Sequence, residues 1–316
     1  IFKNLAIIDV PLNLLLLNSY INNKETNLKK DEIHLFSRDS IKELNNIIDI
    51  YFNQTETTFY KNKSLFWIFK IIFMSYVFKL NKVFLTDLGI KNKLLIIFMR
   101  YDEAIILDDG LASIARNNNE FKFIFRLSKL LSFFSHKKKH VFFSIYKKAY
   151  EKQVGKFNIT LESHKKTSTF EDCCFYICSG PTSDGMSYED EEILIKKIIE
   201  FAKSNKKKLF ILPHRRDRHK FCEEYTFKKY VLNTNVIFEE FYLSSEFINC
   251  SFITLYSGAM CIVDAKYERF FIDGYFNPKI KKTFLKKIFF QQGTSVDNLY
   301  NYLKSIGVNA LKFKQT

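Results

Sequence analysis

From Leu5 onward, short apolar runs alternate with helix-length segments, a rhythm that belongs to a parallel sheet with helices on both faces. "LAIIDV", Leu5 to Val10, reads as a strand closed by Pro11, and "LNLLLLNSYI" continues as a helix. "EIHLF" reads as the next strand, with Ser40 capping a helix to about Ile50, and "KVFLTDLG", "KLLIIFM" and the strand "EAIILDDG" keep the alternation. Between them, "LFWIFKIIFMSYVFKL" (Leu65 to Leu80) is broken by Lys70, closed by Lys79 and shorter than the roughly 20 residues that span a bilayer. It reads as a buried helix.

The stretch from about Phe121 to Lys166 is basic and aromatic and reads as a connection between two lobes, giving expected domains 1–165 and 166–316. The second lobe starts at the strand "CCFYICSG", turns through "PTSDGMS" and enters "YEDEEILIKKIIEFAKSNKKK", whose acidic start and basic end suit a helix dipole. "LFILPHRRD" reads as strand into loop, "NVIFEEF" and "RFFIDGYFN" as strands, and "SFITLYSGAMCIVDAKY" as strand, tight turn and helix. The tail from Asn277 reads as helices packing back on the other lobe.

Composition removes several classes. A chain of 316 residues, 47% hydrophobic and 26% charged, can bury about two cores, which excludes a disordered protein. Only 9 Gly and 4 Pro exclude collagen-like and low-complexity forms. The six cysteines form no paired C-x-x-C and read as reduced, structural thiols, while His34, His136 and His140 lack the spacing of a zinc site. No stretch at the start has the form of a signal peptide, so a cytoplasmic chain is expected. The net charge of +15 favours anionic partners.

In open parallel sheets, ligands bind beyond the carboxyl ends of strands, which selects the loops after Val10, Leu107, Ile177, Leu212 and Tyr256. Asp108, Asp109 and Gly110 follow "EAIIL" directly; they suit a general base in a loop where glycine allows close approach, or simply a solvated acidic turn. His214, Arg215 and Arg216 concentrate donors for a phosphate, or form a surface basic loop. Ser257 and Gly258 open what reads as a helix, an anion site or an ordinary N-cap. Gly180 and Thr182 mark another strand-to-helix turn.

In their order along the chain, these segments resemble the bacterial sialyltransferases of glycosyltransferase families 52 and 38 and their capsule-synthesis relatives. "LAIIDVPLNLLLLNSYI" is similar to the family's first strand, Thr-Pro-x-Gln turn and helix, with Val10 and Asn13 in place of Thr and Gln. "LDDGLASI" resembles the (Asp/Glu)-Asp-Gly motif, "LPHRRD" the His-Pro motif with Arg215 in place of Pro, and "LYSGAM" the Ser-Ser or Ser-Thr motif with Gly258 second. The resemblance runs from Ile7 to about Phe276. It implies a GT-B fold, two Rossmann-like domains with a cleft between them, the first on the acceptor side and the second binding the donor. It implies inverting transfer of sialic acid or a related nonulosonic acid from a CMP-activated donor to lipooligosaccharide or capsule, with no metal or other cofactor. Asp108 would be the general base, with Asp109 and Gly110 shaping its loop. His214 and Ser257 would hold the CMP phosphate, and Asn13, Gly180, Thr182, Arg215, Arg216 and Gly258 would line the substrates.

Two other readings stay open: a GT-B transferase using another nucleotide sugar, and a non-catalytic basic protein binding nucleic acid or an anionic surface through "FRLSKLLSFFSHKKKHVFF". No RNA-binding motif accompanies that stretch, so nucleic acid is not an expected partner. The charge is compatible with peripheral contact at an anionic inner membrane, and a homodimer is compatible with the sequence.

Overall fold

The computed structural model describes residues 3–22, 28–38, 42–60, 66–86, 90–107, 126, 139–144, 156–158, 166–181, 186–214, 227–232, 234, 236–273 and 296–313. The chain divides into two compact units, Ile1–Glu162 and Ser163–Thr316.

In the first unit the apolar runs form β1 (Asn4–Ile8), β2 (Ile33–Arg38), β3 (Glu56–Tyr60), β4 (Leu80–Thr86), β5 (Tyr101–Leu107), β6 (Lys139–Ser144) and β7 (Lys156–Asn158). They make one parallel sheet in the order β3-β2-β1-β4-β5-β6-β7, the doubly wound order of dinucleotide-binding folds carried one strand further. Every residue of β1 is buried, as expected of a central strand covered on both faces. Leu5 and Ile7 belong to a core with Trp67, Ile68 and Ile71 of the helix Phe66–Phe78 and Leu95 and Ile96 of the helix Ile90–Phe98. By strand alternation Ala6 and Ile8 point the other way, where the Leu-rich helix Pro11–Asn22 covers the sheet.

Two expectations for this half are corrected. The basic stretch is not only a connection: β6 and β7 lie inside it and extend the sheet. Val141 and Phe143 bury the apolar face of β6, Lys139 pairs with Glu103 at 3.0 Å, and Nε2 of His140 lies 3.0 Å from the Tyr101 hydroxyl. The Phe-rich helix is buried on one face alone, because Phe66, Phe69, Phe73, Tyr76 and Val77 are 54–76% exposed. Leaving an aromatic or branched side chain in water forgoes roughly 1.5–3 kcal/mol each relative to burial.

In the second unit, β8 (Ser168–Glu171) is followed by β9 (Cys173–Ile177), the helix Tyr188–Ser204, β10 (Lys208–Leu212), β11 (Ser245–Ile248), β12 (Ser251–Thr254), β13 (Glu268–Ile272) and β14 (Asn309–Leu311). Five of these strands pair in the parallel order β10-β9-β12-β13-β14, and β8 pairs with β11 separately. Counted from β9, that order is 2-1-3-4-5, the second common doubly wound pattern, whose reversal point falls between β9 and β12. The long helix buries Leu194, Ile195, Ile198 and Ala202. Phe175 of β9 gathers the rings of Phe170, Phe210, Phe241, Phe247 and Phe252 within 6 Å of its own.

Here too the pattern needs correction. Of "NVIFEEF", expected as a strand, the last four residues open the helix Phe238–Ser244: Phe238, Phe241 and Tyr242 recur at helical spacing, and Glu239 and Glu240 occupy its first turn. After Ser257 the chain makes a five-residue 3-10 turn, Gly258–Ile262, in place of a full helix. Part of the tail stays with its own unit, where β14 pairs with β13 and Tyr300 donates to the Ile272 carbonyl at 3.0 Å.

Candidate functional site

Because β10, β9 and β12 are adjacent and parallel, the turns at their carboxyl ends share one edge of the sheet. Those turns carry His214, Gly180 and Ser257. The Cys178 N–H donates to the Leu212 carbonyl at 3.0 Å, extending the β9–β10 pairing to the start of the His214 turn. Gly180 has a φ of +74°, a conformation that a side chain would strain.

Ser179 and Thr254, neither singled out by the sequence reading, join the other two turns. Thr254 Oγ1 donates to the Ile177 carbonyl at 2.9 Å and accepts the Ser257 N–H at 2.8 Å. Its proton being committed, the Ser179 hydroxyl 3.2 Å away donates to it and accepts the Tyr256 N–H at 3.0 Å. Thr254 is fully buried and Ser179 5% exposed, whereas His214 and Ser257 are partly exposed above them. Buried hydroxyls hold the turns, leaving the outer residues accessible to a ligand. The only sequence signal for this brace was a small hydroxyl residue at or just beyond each strand end.

The Ser257 hydroxyl accepts the Ala259 N–H at 3.3 Å, the N-cap role. The 3-10 segment it caps has fewer than two turns of aligned peptides, so its dipole is weak. The helix after Gly180 starts with Glu189, Asp190 and Glu191 and is capped by Ser187, so its N-terminus already holds negative charge. The His214 turn continues into Arg215 and Arg216, which lie outside the described residues, as does Thr182.

In the first unit, Asn13 is fully buried and its Oδ1 accepts the Val10 N–H at 3.0 Å, closing the turn after β1. Asp108, Asp109 and Gly110 lie outside the described residues; Asp108 follows Leu107, the last residue of β5. The structure adds Asp9, directly after β1 at this sheet's own reversal point between β1 and β4. The Tyr60 hydroxyl donates to Asp9 Oδ1 at 2.5 Å and the Thr86 hydroxyl to Oδ2 at 3.0 Å. Asn92 in turn donates to the Thr86 carbonyl at 2.5 Å. Tyr60 and Thr86 are buried and Asp9 partly exposed, so the carboxylate is fixed with accessible surface remaining. Asp9 carries the same signal as Asp108, a carboxylate at a strand end, because β1 stops at Ile8 and not at Val10.

Burial pushes the Cys173 and Cys174 thiols up to about 11, and the enclosed Tyr176 hydroxyl well above its ordinary value. These groups are neutral near pH 7. Among the described residues, no three His, Cys, Asp or Glu side chains gather as a metal site.

No protein-family model and no curated protein matches the chain. Among solved structures, a Listeria monocytogenes protein assigned as a UDP-N-acetylglucosamine 2-epimerase matches 97% of this chain and 88% of its own, with 10% identity and a TM-score of 0.50. A second UDP-N-acetylglucosamine 2-epimerase matches 96% of this chain and 87% of its own, with 8% identity and a TM-score of 0.46. The fold is GT-B, with a doubly wound parallel sheet in each unit.

Proposed function

We propose that the chain is an enzyme acting on a nucleotide-activated sugar, and specifically an inverting glycosyltransferase. The observation that carries this is the hydroxyl brace, which joins the Gly180 and Ser257 turns at the reversal point of the second unit's sheet, with the His214 turn beside them at the end of the neighbouring β10. A nucleotide phosphate fits that edge: His214, Arg215 and Arg216 are donors suited to it, and negative charge grows on it as the sugar leaves. Asp108 takes the proton of the acceptor hydroxyl, and single displacement inverts the sugar carbon.

Two donor classes are supported by different observations. The motif order Asp108-Asp109-Gly110, His214, Ser257 resembles transferases that use CMP-activated nonulosonic acids, with N-acetylneuraminic, pseudaminic and legionaminic acid all compatible. The likeness to the Listeria monocytogenes protein, whose name implies a UDP-linked sugar, favours another nucleotide sugar. The test is a donor-hydrolysis screen with the purified chain across CMP-nonulosonates and UDP-sugars, since slow hydrolysis needs no knowledge of the acceptor. Release of CMP selects the first donor class and release of UDP the second; release of neither from any donor contradicts the proposal. Turnover is expected to persist in EDTA, because His214, Arg215 and Arg216 supply the positive charge a metal would otherwise bring.

A further inference from the structure

The helix Phe66–Phe78 buries Trp67, Ile68, Ile71 and Ser75 and turns a second apolar face outward. Phe66, Phe69, Phe73, Tyr76 and Val77 are 76%, 68%, 69%, 54% and 57% exposed, at the i, i+3, i+7, i+10 and i+11 spacing of a single face. Thirteen residues make this face about 20 Å long. Soluble surfaces scatter exposed apolar side chains singly, and a contiguous row of this kind marks a contact surface. Lys70 is exposed beside Phe69 and Lys79 is exposed just past the helix end. Between Glu56 and Asp87 the sequence holds five lysines, at 61, 63, 70, 79 and 82, and no carboxylate.

We propose that this face docks on an anionic lipid bilayer, with the helix lying in the plane of the interface. Aromatic side chains on one helix face enter the boundary between headgroups and acyl chains, while lysine stems snorkel to lipid phosphates. A protein partner would have to set a carboxylate against Lys70, and a second copy docked about a two-fold axis would bring a further lysine to a stretch of sequence that has no acid of its own. An anionic bilayer meets Lys70 and Lys79 wherever the helix lies on it, and the net charge of +15 draws the chain there. Among the described residues no helix is long and apolar enough to cross a membrane, so the contact is peripheral. The docking is independent of which nucleotide the second unit takes.

The test is co-sedimentation of the full chain with vesicles of phosphatidylcholine alone or mixed with phosphatidylglycerol. Binding is expected to the mixed vesicles, weakening with salt, and to fall roughly tenfold or more in Phe69→Ser/Phe73→Ser and severalfold in Lys70→Glu. The replaced side chains are exposed, so melting temperatures should be retained. Wild-type protein left in the supernatant, or binding unaltered by both variants, would overturn the proposal. So would a dimer that dissociates in the double variant, which would give the face to a second copy.

Discussion

Ser179 and Thr254 stand 75 positions apart in sequence with their hydroxyl oxygens 3.2 Å apart, which joins the turn after β9 to the turn after β12. Removing one hydroxyl should loosen both turns. Thr254→Val keeps the shape but strands the Ser257 N–H and the Ser179 hydroxyl, so a loss of about 1–3 kcal/mol is expected in urea unfolding. Nucleotide affinity should fall with it. Unchanged stability would show that the brace contributes nothing.

The Asp9 network makes a parallel prediction for the first unit. Tyr60→Phe removes a donor to a carboxylate and should lower stability by about 1.5–3 kcal/mol, with nucleotide affinity retained. Equal unfolding midpoints for the variant and the wild type would contradict this.

Alkaline pH should destabilise the second unit. Cys173 and Cys174 titrate at about 11 when folded against an ordinary value of 9.0. Above pH 9 the unfolded chain loses these protons while the folded chain keeps them, so stability falls as pH rises from about 9 to about 11. Below pH 8 the two thiols have no such effect. Melting temperatures measured from pH 7 to 10.5 should be flat and then decline, and Cys173→Ala/Cys174→Ala should flatten the decline; a rise above pH 9 would contradict the burial argument.

The central strands were legible because burial on both faces leaves continuous apolar runs, as in "LAII" and "CCFYI", whereas shorter edge strands such as β3 and β14 were not. The turns of the candidate nucleotide edge followed from them, since parallel strands put His214, Gly180 and Ser257 at the same edge. What stayed hidden depended on partners distant in sequence. β6 opens on a lysine and a histidine that read as solvated until Glu103 and Tyr101 lie beside them. The helix Phe66–Phe78 carries apolar side chains all round with Lys70 its one charge, so its composition does not show which apolar face is exposed. "FEEFYLS" is too short for its period to decide between helix and strand. Ser179 and Thr254 look like ordinary strand-end residues until the fold pairs them.

Base and binder separate in the kinetics. Asp108→Asn should cut turnover by about 10² to 10⁴ with nucleotide affinity nearly unchanged, and Asp109→Asn should be milder. A larger loss for Asp109 would move the base one residue along. Near-normal turnover in both variants would remove this loop from the chemistry.

The central claim is that the second unit holds a nucleotide through the His214 turn. The direct measurement is titration calorimetry of the wild type and His214→Ala with CMP, UDP and GDP. CMP or UDP is expected to bind the wild type, with affinity falling roughly ten- to hundredfold in a folded His214→Ala protein, as befits a charge-assisted contact to phosphate. No binding by any of the three nucleotides, or equal affinity in the variant, would contradict it.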